Sequence, residues 1–157
     1  MKITLTVNGM RCELEIAAGE TLLEVLRRVG YKSVKKGCGS GDCGACAVLL
    51  DGYAVNSCLC LAVKADGREV VTVEGLAKGQ GLHALQEAFL EEGAVQCGYC
   101  TPGMLIAAAD LLLHTPDPSE EEIRQAISGN LCRCTGYVKE IEAIKVAARR
   151  MREGDDG

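Results

Sequence analysis

Eight of the ten cysteines in this 157-residue chain fall into two sets of four, Cys38-x4-Cys43-x2-Cys46-x11-Cys58 and Cys97-x2-Cys100-x31-Cys132-x-Cys134. Sulfur grouped in this way constrains the fold more than any other feature, because each set must be gathered in one place before its thiolates can share a ligand. In the first set a tight loop supplies three thiolates and a fourth arrives from farther along. In the second, two close pairs flank a long helical stretch, and they meet only where two helix ends meet.

The first spacing is the plant-type ferredoxin one, which gives two cysteines to each iron of a 2Fe-2S centre. The second matches no simple ferredoxin spacing, yet it too is the right size for one cluster. Iron in a sulfide cluster prefers soft thiolates, and a chain that positions four of them gains metal-binding free energy as folding free energy. The glycines between Cys38, Cys43 and Cys46 let the backbone curl round a cluster and aim amide N–H groups at sulfur. No Gly-Lys-Ser/Thr follows, which argues against a phosphate loop. Cys97 and Cys100 come just before a helix start at Thr101-Pro102, and Cys132 and Cys134 precede another around Gly136. Both pairs would then lie where helix dipoles favour anions. Zinc is the competing occupant of the second set, although Cys132-x-Cys134 is tighter than common zinc knuckles. Cys12 and Cys60 are assigned to buried packing.

Cysteine at about 6% of the chain is below the level of a small secreted disulfide scaffold, so a reducing, cytoplasmic compartment is expected. The first seven residues alternate polar and apolar like a half-buried strand and do not resemble a cleaved leader. The longest apolar run, 104–113, is broken by Asp110 and is much shorter than the ~20 residues that cross a bilayer. A net charge of −5 speaks against nucleic-acid binding, and the basic stretch Lys145, Arg149, Arg150, Arg152 is diluted by Glu153, Asp155 and Asp156.

The pattern predicts an α+β chain: a β-grasp, ferredoxin-like domain over 1–76 and a four-helix domain over 77–157. Ile3, Leu5 and Val7 alternate, Asn8-Gly9 signals a hairpin, and Leu14 and Ile16 resume the alternation. Thr21 and Glu24 form a capping box for a helix through Leu22, Leu23, Val25, Leu26 and Val29, ended by Gly30. Residues 47–50 and 53–55 flank a second hairpin at Asp51-Gly52, and Val70, Val71 and Val73 supply a last strand. Residues 74–81 read as a linker. Beyond it the period is helical: Leu82, Leu85, Ala88 and Phe89 on one face; a helix opening at Pro102; a Ser119/Glu122 capping box before Ile123, Ala126 and Ile127; and Val138, Ile141, Ile144 and Val146 on a fourth helix, with a frayed tail from Glu153.

Four segments, residues 37–46, Asn56-Ser57-Cys58, residues 96–103 and residues 129–137, closely resemble in sequence and order the iron-sulfur subunit of the xanthine dehydrogenase, aldehyde oxidoreductase and carbon monoxide dehydrogenase family of molybdenum hydroxylases. The resemblance covers nearly the whole chain. It implies two 2Fe-2S clusters, the one in the helical domain nearer the molybdenum cofactor, with electrons passing from a large molybdopterin-binding subunit outward to FAD on a separate subunit or domain. It also implies that Gln96 and Cys134 lie beside the molybdopterin group, and that Arg133 and Tyr99 serve at an interface or in packing. A chain of this kind catalyses nothing alone, consistent with the absence of a recognisable dinucleotide-binding unit. The competing class is a stand-alone iron-sulfur redox sensor or a zinc-stapled interaction module.

Overall fold

The computed structural model describes residues 1–154. Strands β1 (Lys2–Val7), β2 (Met10–Glu15), β3 (Ala47–Leu50), β4 (Tyr53–Asn56) and β5 (Glu69–Val71) form one mixed sheet in the order β2-β1-β5-β3-β4. Both hairpins turn where the sequence calls for left-handed backbone, at Asn8 (φ 51°) with Gly9 (φ 79°) and at Asp51 (φ 49°) with Gly52 (φ 85°). β1 runs parallel to β5, and β3 runs antiparallel to it, so the amino-terminal strand and the strand after the first cysteine loop share one neighbour.

Helix α1 (Leu22–Arg28) carries the expected Thr21/Glu24 capping box and lays Leu22, Leu23, Val25 and Leu26 against the sheet. Gly30 follows with φ 109°. Helices α2 (Ala84–Glu91), α3 (Thr101–His114), α4 (Glu120–Ile127) and α5 (Val138–Arg152) build the carboxy-terminal half. Their core centres on Leu85, Phe89, Met104, Ile106, Ile123 and Ile144.

The two cores meet on β3. Its four residues are all buried because both faces are covered: Val48 and Leu50 point into the core under α1, while Ala47 and Leu49 point into the helical core with α3. A strand buried on both sides carries no polar alternation, and this one fixes the cysteine loop before it relative to the helices.

Several elements differ from the sequence expectation. The last strand stops at Val71, and Val73 opens a 3-10 turn over Val73–Gly75, because Thr72 is held by Asn8 through two hydrogen bonds of 2.8 and 2.9 Å. The stretch read as a linker is anchored at Leu76, which is buried in the helical core. Leu82 lies outside α2 and is exposed, since α2 begins after a capping box built on His83 and Gln86. In α5 the buried face comprises Glu140, Ile141, Ala143, Ile144, Ala147 and Ala148, whereas Val138 is exposed and Val146 only half-buried. α5 opens at Val138, two residues beyond the expected Gly136, after Tyr137 turns the chain with φ 66°. Cys12 and Cys60 are half-buried against the first core rather than fully buried.

The basic end of α5 is ion-paired within the fold, Lys145 with Glu120 and Glu142, Arg150 with Glu91, and Arg152 with Asp117. Asp155 and Asp156, expected to dilute it, lie outside the described residues, while Glu153, expected to begin the frayed tail, still closes α5 with its N–H donating to the Arg149 carbonyl at 3.1 Å. Among the described residues, no helix is long and apolar enough to cross a membrane.

Candidate metal centres

The first cysteine set is shaped by backbone approach to sulfur. The N–H groups of Ser40, Asp42 and Cys43 donate to Cys38 Sγ at 3.4, 3.3 and 3.4 Å, and that of Cys38 donates to Cys43 Sγ at 3.3 Å. This is the amide nest expected of the loop. Hydrogen bonds from Ser40, reinforced by Cys43, pull the Cys38 thiol down to about 6. Glycine is required by φ at Gly39 (74°), Gly41 (86°) and Gly44 (70°), and at Gly37 a Cβ would lie 2.6 Å from Cys43 Sγ.

The fourth cysteine is brought in by its neighbours. Ser57 is buried and donates its hydroxyl to the Cys46 carbonyl at 2.7 Å, while Asn56 Nδ2 donates to the Gly41 carbonyl at 3.0 Å. Leu23 N–H at the start of α1 closes on the Ser57 carbonyl at 3.1 Å. Cys58 therefore sits against Cys46. Burial, with the contact to Cys46, pushes the Cys58 thiol up to about 11.

The second set converges where α3 begins and the 129–137 loop passes. Cys100 is the residue from which α3 starts. Its thiol meets Cys132, and burial followed by that contact pushes it up to about 12. Cys97 meets Cys134: the Tyr99 N–H and then Cys134 lower the Cys97 thiol, and the contact with Cys97 raises that of Cys134. Cys132 Sγ accepts from the Thr135 N–H at 3.4 Å and from its hydroxyl at 3.1 Å, and although burial opposes it, these bonds lower the Cys132 thiol. The Cys132 N–H donates to the Tyr137 hydroxyl at 2.7 Å, which closes the loop on itself just before α5.

In both sets the sulfurs meet in pairs: Cys38 with Cys43, Cys46 with Cys58, Cys97 with Cys134 and Cys100 with Cys132. A structural zinc needs four ligands about one point, whereas a 2Fe-2S centre takes two thiolates on each of two irons. The donor chemistry, the pairing and the glycine-lined cradle all fit the two-iron group.

Residues 5–82 match the family described as a 2Fe-2S iron-sulfur cluster binding domain, and residues 72–145 match a second 2Fe-2S binding domain family. The nicotinate dehydrogenase small FeS subunit of Eubacterium barkeri is 48% identical over 149 residues, covering 94% of this chain and 95% of that protein. The xanthine dehydrogenase iron-sulfur-binding subunit of Escherichia coli O157:H7 is 50% identical over 140 residues, covering 86% of each. The chain belongs to the iron-sulfur subunits of the xanthine dehydrogenase and aldehyde oxidoreductase family of molybdenum hydroxylases. A chain of the quinoline 2-oxidoreductase crystal structure from Pseudomonas putida 86 superimposes with a TM-score of 0.93 at 45% identity, covering 98% of this chain and 97% of that one. A member of this family is a non-catalytic electron-transfer component, and the sensor and zinc-module readings are not favoured.

The other residues singled out by the resemblance lie at the protein surface. Gln96, Cys97, Arg133 and Cys134 are all exposed, and the Cys97–Cys134 contact brings Gln96 next to Cys134 in space. Tyr99 is a packing residue as well: its hydroxyl donates to the Lys36 carbonyl at 2.7 Å, and Lys35 Nζ lies 5.8 Å from its ring centroid, tying the second cysteine loop to the approach of the first. Sequence reasoning missed Asn130, whose buried amide donates to the Gly44 carbonyl at 3.2 Å, and Glu140, a fully buried carboxyl beside the second set. Asn130 gave a signal, standing next to a glycine in a polar loop. Glu140 gave none, since nothing in a helical period marks a charged residue as turned inward.

Proposed function

We propose that this chain carries electrons between a molybdopterin-bearing large subunit and a flavin-bearing subunit, in a reducing, cytoplasmic setting. Its 2Fe-2S clusters supply one-electron redox stations. Cys38 and Cys43 hold one iron of the plant-type cluster, and Cys46 and Cys58 hold the other. Cys97 with Cys134 and Cys100 with Cys132 hold the two irons of the helical-domain cluster.

The single observation that carries this partition is the pairing of the thiols within each set. The exposed edge formed by Gln96, Cys97, Arg133 and Cys134 is the face offered to the molybdopterin group, with the Gln96 amide as its hydrogen-bonding donor. We place the domain boundary between residues 76 and 77, after the sheet has ended at Val71 and inside the 72–82 stretch that the two family matches share.

Anaerobic isolation with iron, sulfide and zinc analysis, followed by electron paramagnetic resonance after reduction, tests the assignment. The expected result is about four irons per chain and two distinct 2Fe-2S signals. A colourless, zinc-loaded or iron-free native protein would overturn it. Co-purification with a molybdopterin subunit, lost on Gln96→Ala without loss of either signal, tests the exposed edge.

A further inference from the structure

Glu140 stands in the first turn of α5 with no exposed surface, on the face that otherwise carries Ile141, Ala143 and Ile144. Its Oε1 accepts the Thr135 hydroxyl at 2.5 Å, and its Oε2 is a buried oxygen with no hydrogen-bond partner among the described residues. A half-satisfied carboxyl in a helical core is destabilising compared with an apolar residue of the same size. Nothing in the packing of α5 calls for one.

Thr135 supplies the connection. The same hydroxyl lies 3.1 Å from Cys132 Sγ, so one oxygen with one proton to give stands between a sulfur ligand and a carboxyl. Hydrogen bonds to cluster sulfurs favour the reduced state, which carries one more negative charge, and so raise the reduction potential. A carboxyl that takes the proton leaves that sulfur with the Thr135 N–H at 3.4 Å in place of two donors from Thr135.

We propose that Glu140 is a positioning residue that lowers the reduction potential of the helical-domain cluster by drawing the Thr135 hydroxyl proton away from the Cys132 sulfur. The device sets the driving force of the station nearer the exposed Gln96 edge and leaves the plant-type station untouched. It rests on the assignment of Cys132 as a cluster ligand.

Redox titration of the purified, cluster-loaded protein, followed by electron paramagnetic resonance, reads both midpoints at once. Glu140→Leu is expected to raise the helical-domain midpoint so that the ratio of reduced to oxidised cluster at a fixed ambient potential increases about tenfold, equivalent to ~59 mV for a one-electron couple. The plant-type midpoint stays where it is. Adding Thr135→Val to Glu140→Leu removes most of that rise, whereas Thr135→Val in the native background changes the midpoint little, because there the proton is already given to the carboxyl. Glu140→Gln keeps an acceptor oxygen for Thr135 and gives a smaller rise, and it carries the test if the leucine variant fails to fold.

An unmoved midpoint in a Glu140 variant that retains both signals would overturn the proposal. So would a rise that survives Thr135→Val undiminished, since charge alone would then account for it. Absence of the second signal from the native protein would instead overturn the ligand assignment, and this proposal with it.

Discussion

The backbone N–H of Leu131 donates to the carbonyl oxygen of Cys43 at 2.9 Å. One residue beyond Leu131 is Cys132, so a single hydrogen bond joins a cysteine of the plant-type set to the strand of chain that carries the other set. The contact is reinforced on both sides. Asn130 Nδ2 donates to the Gly44 carbonyl at 3.2 Å, and Tyr99 donates to the Lys36 carbonyl at 2.7 Å. Three hydrogen bonds therefore join the two cysteine loops directly to each other.

Asn130→Ala tests that junction. Asn130 is buried, and removing its amide leaves the Gly44 carbonyl with only the Ala47 N–H at 3.2 Å. The carbonyl keeps one partner, so loss of this hydrogen bond costs roughly 0.5–1.5 kcal/mol. Denaturant unfolding should show a loss of that size, and reoxidation of the helical-domain cluster through the plant-type one should slow. An unchanged stability would mean that the loops are held by other contacts.

Gly103→Ala tests the same junction sterically. Gly103 needs no unusual φ. It is small because a Cβ there would stand 2.2 Å from the Gly44 carbonyl oxygen and 3.2 Å from Ala45 Cα. Neither is the end of a flexible side chain, so α3 must shift away from the first loop. Overpacking of this kind costs about 1–3 kcal/mol. The expected outcome is a lowered Tm together with altered magnetic coupling between the two cluster signals; a native Tm would refute the close approach.

Much of this arrangement is legible in the sequence, and what is not has a common cause. Asn8-Gly9, Asp51-Gly52, Thr21/Glu24 and Ser119/Glu122 are local signals, complete within four residues, and each formed as expected. The cysteine spacings likewise announced two sets. The failures are tertiary. Val73 was drawn out of the strand by Asn8, 65 positions earlier, through Thr72. Leu82 lost its place on α2 because His83, a residue seldom chosen as a cap, accepts from the Leu85 N–H at 3.1 Å. Residues 47–50 are uniformly apolar, which says that both faces are covered without saying by what. Tyr99, Asn130 and Glu140 act on partners distant in sequence or turned inward against their polarity, and no period reports that.

Serine substitutions should divide the cysteines as the thiol pairs do. Cys43→Ser should alter or abolish the plant-type signal and spare the other, and Cys100→Ser the reverse, because serine is a harder, weaker ligand than thiolate. Each variant should also lower the stability of its own half, since bound metal is folding free energy. A Cys43→Ser protein with both spectra intact would show the partition to be wrong.

Glu120 gives a pH dependence of known sign. Lys145 Nζ at 2.6 Å, and after it Arg124 at 2.7 Å, hold the Glu120 carboxyl down to about 2, below its ordinary value of 4.5. A carboxyl with a depressed folded value binds its proton more weakly when folded, so its contribution to stability is complete above about pH 4.5 and disappears as the pH falls through about 2. The three groups tie α4 to α5 at an exposed position, where screening keeps the effect small. Glu120→Gln should therefore lower Tm slightly at pH 6 and 0.05 M salt, with the gap to the native protein closing as the pH is taken from about 4.5 towards 2 and as salt is added. A gap that stayed constant across that range would show that the ion pairs contribute nothing to holding the two helices together.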